Sequence, residues 1–488
     1  MLEKLEKLER IARQLEPGQG ERGLMLDKVR DYAESFLTAL PTAPAYIKDE
    51  GRKGFSNIPI DEEPTDLNTL LKTLHSEVNT TGLNPASGNF LGYIPGGALY
   101  PSALGDYLAD ISNRYSGVSF AGPGAADMEL SLVAWMCQLV GYPDTAGGDL
   151  TSGGSLATLS AFVTARDAHD IVPGKISAAS VYLTGQVHHC VAKALHIAGL
   201  KDVRKCLVPM DKRYRMDVAA LKQMIDTDRN QGLEPWLIVA SAGTTDTGAV
   251  DPIADIARVA KQQDMWFHLD AAYGGFFMLC EEGRECLHGL EQADSIVLDP
   301  HKSLALPYGS GAVLIKDRRL LAKSNAYYAD YMQDAKQAEI DFDAVLSPSD
   351  LSLELTRPFR GPRMWLPLNL FGLKPFRASL AEKIWLARYF HQQLGKIDGF
   401  ETGPYPDLSV VTFRYLPKSG DANAFNQRLQ DALLETGTIF ISSTRIDGRF
   451  TLRLAILNFR THRATIDYTL ELLEQLARKL EQTGIIRK

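Results

Sequence analysis

The chain has 488 residues, of which 45% are hydrophobic and 23% charged, and its formal net charge is −8. This length exceeds one ordinary core, so we expect a large domain with smaller appendages. The acidic balance argues against a nucleic-acid surface, and no apolar run reaches the roughly 18 residues of a membrane span. The charged N-terminus does not resemble a signal peptide. The five cysteines lack CxxC spacing, which suits free thiols and predicts a cytoplasmic protein.

The first 85 residues are predicted to form a helical arm. Its apolar positions are three or four apart, at Leu2, Leu5, Leu8, Ile11 and Leu15. This spacing predicts an amphipathic helix, and a second helix is expected over residues 24–40, before Pro41. The apolar stripe would pack either on a partner subunit or on its own subunit, and the sequence leaves both alternatives open.

Residues 86–375 are predicted to form a large α/β domain. Short apolar or β-branched runs predict strands over residues 180–183, 205–208, 236–241, 265–269, 295–298 and 311–315. Helical patterns lie between them, over residues 191–198, 218–225 and 253–262. This alternation predicts a mainly parallel central sheet with helices on both faces. In such sheets, ligands bind at the carboxyl ends of the strands.

Residues 376–488 are predicted to form a small C-terminal α+β domain. The pattern gives a helix over 380–394, strands over 410–416, 438–442 and 450–457, and a closing helix over 465–481. Residues 330–355 lack clear periodicity and predict a long loop, which in compact domains is often a functional lid.

A turn of small residues precedes a helical run at residues 151–159, Thr-Ser-Gly-Gly-Ser-Leu-Ala-Thr-Leu. Backbone N–H groups and hydroxyls at a helix N-terminus form an anion site. Such a turn alone more often only changes the chain direction. It is neither a Walker loop nor a nucleophile elbow, because the residues that those motifs require do not follow.

Two charged residues follow predicted strands directly. Asp270 follows an apolar strand and precedes the small Ala272, so it is either a structural cap or ion pair, or an acceptor for a cationic ring nitrogen. Lys302 follows Leu298-Asp-Pro-His. A lone lysine is usually solvated, but burial here would lower its pKa and favour Schiff-base chemistry.

Two adjacent histidines, His188 and His189, follow the strand over 180–183. On a helix they would point apart, and no zinc-like spacing follows, so we predict no metal site and expect one ring to stack on a flat cofactor. A phosphate turn, a histidine, a carboxylate and a lysine in this order match what pyridoxal 5′-phosphate (PLP) needs.

In this combination of motifs, the chain resembles the group II PLP-dependent amino-acid decarboxylases, from about residue 20 to the C-terminus. The motifs are Gln-Val-His-His at 186–189, Gly-Thr-Thr at 243–245, His-Leu-Asp-Ala-Ala-Tyr-Gly-Gly at 268–275 and Asp-Pro-His-Lys at 299–302. The resemblance implies the type I (aspartate aminotransferase-like) PLP fold. It also implies a homodimer with shared active sites and an amino-acid substrate.

The resemblance also implies roles for individual residues. Lys302 is the Schiff-base lysine with His301 beside it, Asp270 pairs with the pyridinium nitrogen, and His188 stacks on the ring. The remaining cofactor contacts are expected from Gly154, Ser155, Thr245, Ala272 and Ser310. Substrate contacts are expected from Tyr93, Pro95, Arg114 and Arg453, with Arg453 near the substrate carboxylate and Arg114 contributed by the partner subunit.

The sequence departs from the family pattern in three places. The loop stretch 347–352 lacks the tyrosine that reprotonates the α-carbon in family members, although Tyr327, Tyr328 and Tyr331 lie upstream. Several bulky aromatic pocket positions are lost. Asp299 replaces an asparagine near the phosphate, and we expect its carboxylate to turn toward His301 or a backbone donor instead.

The expected function is α-decarboxylation of an L-amino acid, with an aromatic side chain favoured, to the amine and CO2. Three alternatives stay open. The first is aldehyde-forming oxidative decarboxylation, which the missing tyrosine allows. The second is decarboxylation of an acidic amino acid, which Arg114 allows, or of a diamino acid. The third is that the chain binds PLP without catalysis.

Overall fold

The computed structural model describes residues 1–52, 54, 55, 58, 60–327 and 346–485, and the side chains of residues 483–485 are not described. The predicted loop over 330–355 therefore lies largely outside the described residues. Its last part is described and contains a short 3₁₀ helix, Pro348–Leu351. None of the helices within the described ranges is both long and apolar enough to cross a membrane.

The N-terminal arm is helical, as predicted, with α1 at Leu2–Ala12 and α2 at Gln19–Ala39. Neither helix contains a buried residue within this chain, so the predicted apolar stripe of α1 lies exposed. A two-stranded ribbon of β1 (Tyr46–Ile47) and β2 (Gly82–Leu83) follows, and α3 (Leu67–Leu74) lies between its strands.

The central part of the chain alternates strands with helices. Its strands are β3 (Phe90–Leu91), β4 (Gly147–Thr151), β5 (Ala179–Leu183), β6 (Arg204–Leu207), β7 (Glu234–Ser241), β8 (Trp266–Asp270), β9 (Ser295–Leu298) and β10 (Gly311–Ile315). Its helices are α4 (Tyr100–Ser112), α5 (Pro123–Leu139), α6 (Gly154–Ala168), α7 (Cys190–Ile197), α8 (Val218–Asn230), α9 (Ile253–Gln262), α10 (Glu281–Cys286), α11 (Pro300–Ser303), α12 (Arg318–Asn325) and α13 (Gly361–Phe371). All six predicted strands and three predicted helices are confirmed, with ends shifted by a few residues in some of them.

Seven strands form the central sheet, in the order β4-β10-β9-β8-β7-β5-β6. Strand β10 is antiparallel to both of its neighbours, whereas β9, β8, β7, β5 and β6 pair in parallel. The prediction of a mainly parallel sheet is confirmed.

Both faces of this sheet are buried, because successive side chains of a strand point to opposite faces. On β7, Ile238 and Ala240 pack in one core with residues of α5, α8 and α9. Leu237 and Val239 pack in a second core with residues of α6, α7 and α12. The helices therefore cover both faces, as the alternating pattern predicted.

The last part of the chain forms a five-stranded sheet, in the order β11-β12-β14-β13-β3. Its own strands are β11 (Phe400–Thr402), β12 (Val410–Tyr415), β13 (Phe440–Ile446) and β14 (Arg449–Ala455), and its helices are α14 (Leu373–Leu394), α15 (Ala422–Glu435) and α16 (Arg463–Ile485). The predicted helices and strands are confirmed. Strand β3, which precedes the central sheet, pairs in parallel with β13.

A buried ion cluster joins three distant segments beside β4. The Arg357 guanidinium, 1% exposed, lies 3.0 Å from Glu129 on α5 and pairs with Asp149 on β4. It also donates to the Leu150 carbonyl at 2.8 Å. Burial raises the pKa of both carboxyl groups, and the charge of Arg357 opposes that shift. The cluster therefore fixes the strand that leads into the turn at residues 151–154.

Replacing Arg357 with methionine should destabilise the fold by about 3–5 kcal/mol, because two buried carboxylates lose their counter-ion. Urea unfolding followed by circular dichroism measures this change. Arg258→Met removes an exposed arginine paired with Asp255, and it should change the free energy of unfolding by no more than about 0.5 kcal/mol. Equal unfolding midpoints for the two variants would contradict this account.

Candidate active site

A cavity of about 590 Å³ opens at the carboxyl ends of the central strands. Ten of the thirteen residues predicted from the sequence to form the site line it, namely Tyr93, Gly154, Ser155, His188, Thr245, Asp270, Ala272, His301, Lys302 and Arg453. The structure therefore brings these ten residues together around one cavity at the strand ends. The roles of the individual residues stay predictions.

Lys302 lies in α11, which begins directly after β9. Asp299 occupies the N-cap position and Pro300 the first turn, where a missing N–H costs nothing. The Asp299 side chain makes no capping hydrogen bond. Its Oδ2 instead lies 3.1 Å from Lys302 Nζ, one helical turn along.

The expectation that the pKa of Lys302 is lowered is wrong. Burial does act in that direction, but the carboxylates of Asp299 and Asp270 outweigh it and raise the pKa above its ordinary value. Lys302 is therefore an ammonium at neutral pH.

The Asp299 carboxylate is itself buried, with 2% of the residue exposed. We expected this carboxylate to turn toward His301 or a backbone donor, and the structure corrects this expectation. Its Oδ2 lies 3.1 Å from Lys302 Nζ and 3.8 Å from His301 Nε2. Among the described residues, Oδ1 has no hydrogen-bond partner.

Asp270 ends β8, where it lies between Ser241 of β7 and Val297 of β9. Its Oδ1 accepts a hydrogen bond from the Ala272 N–H at 3.1 Å. This bond holds the carboxylate at the strand end and places the small Ala272 side chain beside it in the cavity wall.

His188 and His189 precede α7 rather than lying within it, so their rings do not point apart as we expected. The ring centroids are 4.0 Å apart. His188 Nδ1 accepts a hydrogen bond from the Cys190 N–H at 3.2 Å, which leaves the proton of the neutral ring on Nε2. Burial lowers the pKa of His188, although Asp270 opposes this shift, so the ring is neutral at pH 7.

The turn at residues 151–154 leads into α6, where the Leu156 and Ala157 N–H groups donate to the Gly153 carbonyl at 3.1 and 3.2 Å. The N–H groups of Gly154 and Ser155 are therefore the ones available to a ligand at this helix N-terminus. The first residue of this helix, Gly154, is closely packed. A Cβ at Gly154 would lie 3.0 Å from Asp299 Oδ2 and 3.5 Å from the Ala272 Cβ. Gly153 has a φ of +152°, and its backbone contacts Gly311 of β10. This forms a small cradle of backbone donors at the cavity wall.

Arg453 of β14 enters the cavity from the small sheet and is 3% exposed. It donates to the Asp246 carbonyl at 3.1 Å, to Ser442 Oγ at 2.7 Å and to the Tyr93 carbonyl at 3.4 Å. None of these three acceptors carries a charge. Burial lowers the pKa of Arg453, so this cation would be stabilised by an anionic ligand.

Three predicted residues lie outside the cavity lining. Pro95 is buried behind it, and Arg114 is exposed on the surface of its own chain. The Ser310 hydroxyl donates to the Pro307 carbonyl at 3.2 Å, and its own carbonyl accepts from His301 Nδ1. Ser310 therefore fixes the His301 ring through its backbone.

Sequence reasoning missed several residues that line the cavity, among them Thr158, Cys190 and Tyr308. Tyr308 belongs to the glycine-rich turn after Lys302, which was a usable signal. Thr158 and Cys190 carried no signal, because they look like ordinary helix residues. Tyr327 is exposed, whereas Tyr328 and Tyr331 lie outside the described residues.

These groups fit PLP. The cofactor needs an amine for its aldehyde, a carboxylate for its ring nitrogen, donors for its phosphate, and flat or small neighbours for its ring. One cavity holds a group for each of these needs. The amine is that of Lys302, the carboxylate is that of Asp270, the phosphate donors are at the start of α6, and the flat and small neighbours are His188 and Ala272. The fold and the cavity together define the site of a PLP-dependent enzyme.

Comparison with known proteins agrees. Residues 52–416 match the pyridoxal-dependent decarboxylase conserved domain. An aromatic-L-amino-acid decarboxylase from Bacillus atrophaeus is 33% identical over 430 residues, which cover 87% of this chain and 88% of that protein. A phenylacetaldehyde synthase from Arabidopsis thaliana is 27% identical over 456 residues, with 89% and 90% covered.

The structure of Oryza sativa TDC with PLP and tryptamine superposes with a TM-score of 0.89 at 25% identity, and 96% of this chain and 99% of that chain are covered. The chain belongs to the pyridoxal-dependent decarboxylase family. It is a PLP-dependent amino-acid decarboxylase with the type I fold, as the motifs predicted.

Gly96 packs against the backbone that carries Lys302. A Cβ at Gly96 would lie 2.4 Å from the Lys302 carbonyl oxygen and 2.6 Å from Ala305 Cα. Gly96→Ala should therefore displace α11, lower stability by about 1–3 kcal/mol and lower the PLP content measured by absorbance. Gly174→Ala is the control, because a Cβ at Gly174 would have no atom within 4 Å apart from those of its chain neighbours. Unchanged PLP content in both variants would refute the prediction.

Proposed function

We propose that this enzyme decarboxylates an aromatic L-amino acid to the corresponding amine and CO2, with PLP carried on Lys302. The observation that carries the proposal is the convergence of Lys302, Asp270 and Arg453 on one cavity. The names of the relatives support an aromatic substrate, since the Bacillus atrophaeus relative is called an aromatic-L-amino-acid decarboxylase.

The predicted cofactor contacts have the following tasks in this proposal. The first-turn N–H groups of α6, with Gly154 and Ser155, would bind the phosphate, because a helix N-terminus favours an anion. His188 and Ala272 would flank the ring. Thr245 lies nearby in the lining, and His301 is held by the Ser310 carbonyl.

When bound, PLP supplies an electron sink for the electrons that are released as carbon dioxide leaves the substrate. The Asp270 carboxylate would hold a proton on the pyridine nitrogen, because a nearby opposite charge favours the protonated form. His188 remains neutral next to the ring, since burial lowers its pKa. Its Nδ1 is fixed by the Cys190 N–H, so the ring keeps one orientation.

Arg453 would bind the substrate carboxylate. Its present acceptors are two carbonyls and a hydroxyl. Lys302, the other strong cation of the described lining, already pairs with Asp299. The cavity therefore offers one cation for one carboxylate, which favours an aromatic side chain over an acidic one. Arg114, which suggested an acidic side chain, lies outside the cavity of its own chain.

Aldehyde formation is the second candidate function. The described stretch 347–352 contains no tyrosine, and Tyr327 is exposed. The likeness to a phenylacetaldehyde synthase favours the same alternative.

The active form in this proposal is a homodimer in the cytoplasm. Helix α4 exposes an apolar row that a second copy would cover, formed by Leu104, Tyr107, Leu108 and Ile111. The exposed stripe of α1 offers a second such surface. The cysteines of the described chain are free thiols, which suits a reducing compartment. Light scattering that gives the mass of a single chain for the active protein would contradict the dimer.

A product assay separates the candidate functions. The holoenzyme is incubated with Trp, Tyr, Phe, DOPA, Glu, Asp and diamino acids, and CO2, amine, aldehyde and peroxide are measured. We expect CO2 and amine in equal amounts from an aromatic substrate. Aldehyde and peroxide without amine would establish the second candidate, and PLP binding without any product would indicate a non-catalytic protein.

Arg453→Gln tests the proposed carboxylate contact. A hydrogen bond to a charged group is worth about 1.5–3 kcal/mol, so kcat/KM should fall roughly 10- to 150-fold, while PLP content is retained. Arg449→Gln is the matched control, because Arg449 lies exposed on the same strand and outside this cavity. If both variants keep the wild-type kcat/KM, Arg453 does not bind the substrate.

A further inference from the structure

The ion pair between Lys302 and Asp299 involves the amine that, in the proposed function, must react with an aldehyde. Nζ and Oδ2 are 3.1 Å apart, and Asp299 is almost fully buried. The carboxylate does not cap α11, and Oδ1 has no hydrogen-bond partner among the described residues. Lys302 is therefore the closest charged partner of this carboxylate.

Capture of an aldehyde requires the neutral amine. The Lys302 ammonium first releases a proton to solvent, and the nitrogen lone pair then adds to the aldehyde carbon. A C=N bond forms, and the aldehyde oxygen leaves as water. A buried carboxylate beside the nitrogen stabilises the ammonium and so opposes the first of these steps.

We propose that Asp299 is a positioning residue that holds Lys302 as the ammonium in the cofactor-free protein and thereby sets the pH at which this lysine captures PLP. This inference rests on the proposed function, in which Lys302 carries PLP. It extends that function by assigning a task to Asp299, the residue that departs from the family pattern.

The other groups around Lys302 do not cancel the effect of Asp299. They are His301 of α11, Asp270 at the end of β8, His188 just before α7, Cys190 at the start of α7 and Tyr308 in the turn before β10. Burial lowers the pKa of both histidines. Burial also raises the pKa of Tyr308 and raises that of Cys190 to about 12.

At neutral pH His188, His301, Cys190 and Tyr308 are therefore uncharged. Asp270 is the other carboxylate that faces the lysine, and it acts in the same direction as Asp299, with the smaller effect on the pKa of Lys302.

Repulsion of the phosphate by Asp299 is a separate effect that the test must exclude. A Cβ at Gly154, in the proposed phosphate cradle, would lie only 3.0 Å from Asp299 Oδ2. A neutral residue at position 299 could therefore speed capture of PLP without changing the state of Lys302. Pyridoxal, which has the aldehyde but no phosphate, removes this second effect.

The experiment uses the full-length protein, stripped of cofactor with hydroxylamine and dialysed. Wild type and Asp299→Asn are incubated briefly with pyridoxal from neutral to strongly alkaline pH and reduced with borohydride, and the modified Lys302 peptide is quantified by mass spectrometry. We expect Asp299→Asn to lower the pH of half-maximal modification by about 1–3 units. The peptide that contains Lys261, exposed on α9, is the internal reference and should behave alike in both proteins.

Wild type alone provides a second measurement, should the variant fail to fold. The inference requires Lys302 to reach half-maximal modification at a higher pH than Lys261, and the reverse order would overturn it. An unchanged midpoint in folded Asp299→Asn, or a shift seen with PLP but not with pyridoxal, would overturn it as well. If neither aldehyde labels Lys302 at any pH, the proposed function fails instead.

Discussion

The parallel alignment of β7, β8 and β9 is the constraint on which the site depends. Neighbouring strands lie about 4.8 Å apart, and their register places Asp270 between Ser241 and Val297. One turn beyond β9, α11 then brings Lys302 to the same edge of the sheet. Asp270 is thus a neighbour of Asp299 and Lys302 because the strands end together, although it belongs to a different strand, well before them in the sequence.

The short apolar runs of the sequence predicted the buried strands well, because strands covered on both faces contain few polar residues. Strand β4 was missed, since Gly-Gly-Asp-Leu-Thr contains few strand-forming side chains. A Cβ at Gly148 would lie 2.0 Å from the Val313 carbonyl oxygen of β10, so this glycine marks a close approach that no local pattern reveals. Likewise, nothing local predicts that β3 joins the small sheet. The domain limits at residues 86 and 376 stay predictions.

Ten of the thirteen predicted site residues line the cavity, because most of the motifs that contain them end a strand or begin a helix at the same edge. What they could not give is the balance of charge around Lys302. That balance depends on whether the Asp299 side chain caps α11 or pairs with Lys302, one helical turn along, and the two possibilities have the same sequence. The pairing with Lys302 explains why the pKa of this lysine is raised rather than lowered. Arg114 stays a prediction for the partner subunit, because it lies outside the cavity of its own chain.

Chemical mapping of the holoenzyme shows whether Lys302 carries the cofactor of this decarboxylase. Borohydride reduction fixes PLP to the amine that holds it, and peptide mass spectrometry then identifies that residue. We expect one phosphopyridoxyl group per chain, on Lys302, and its loss from this peptide when a reacting amino acid is added before reduction. A phosphopyridoxyl group on another lysine, or bound PLP that reduction does not attach, would contradict the account.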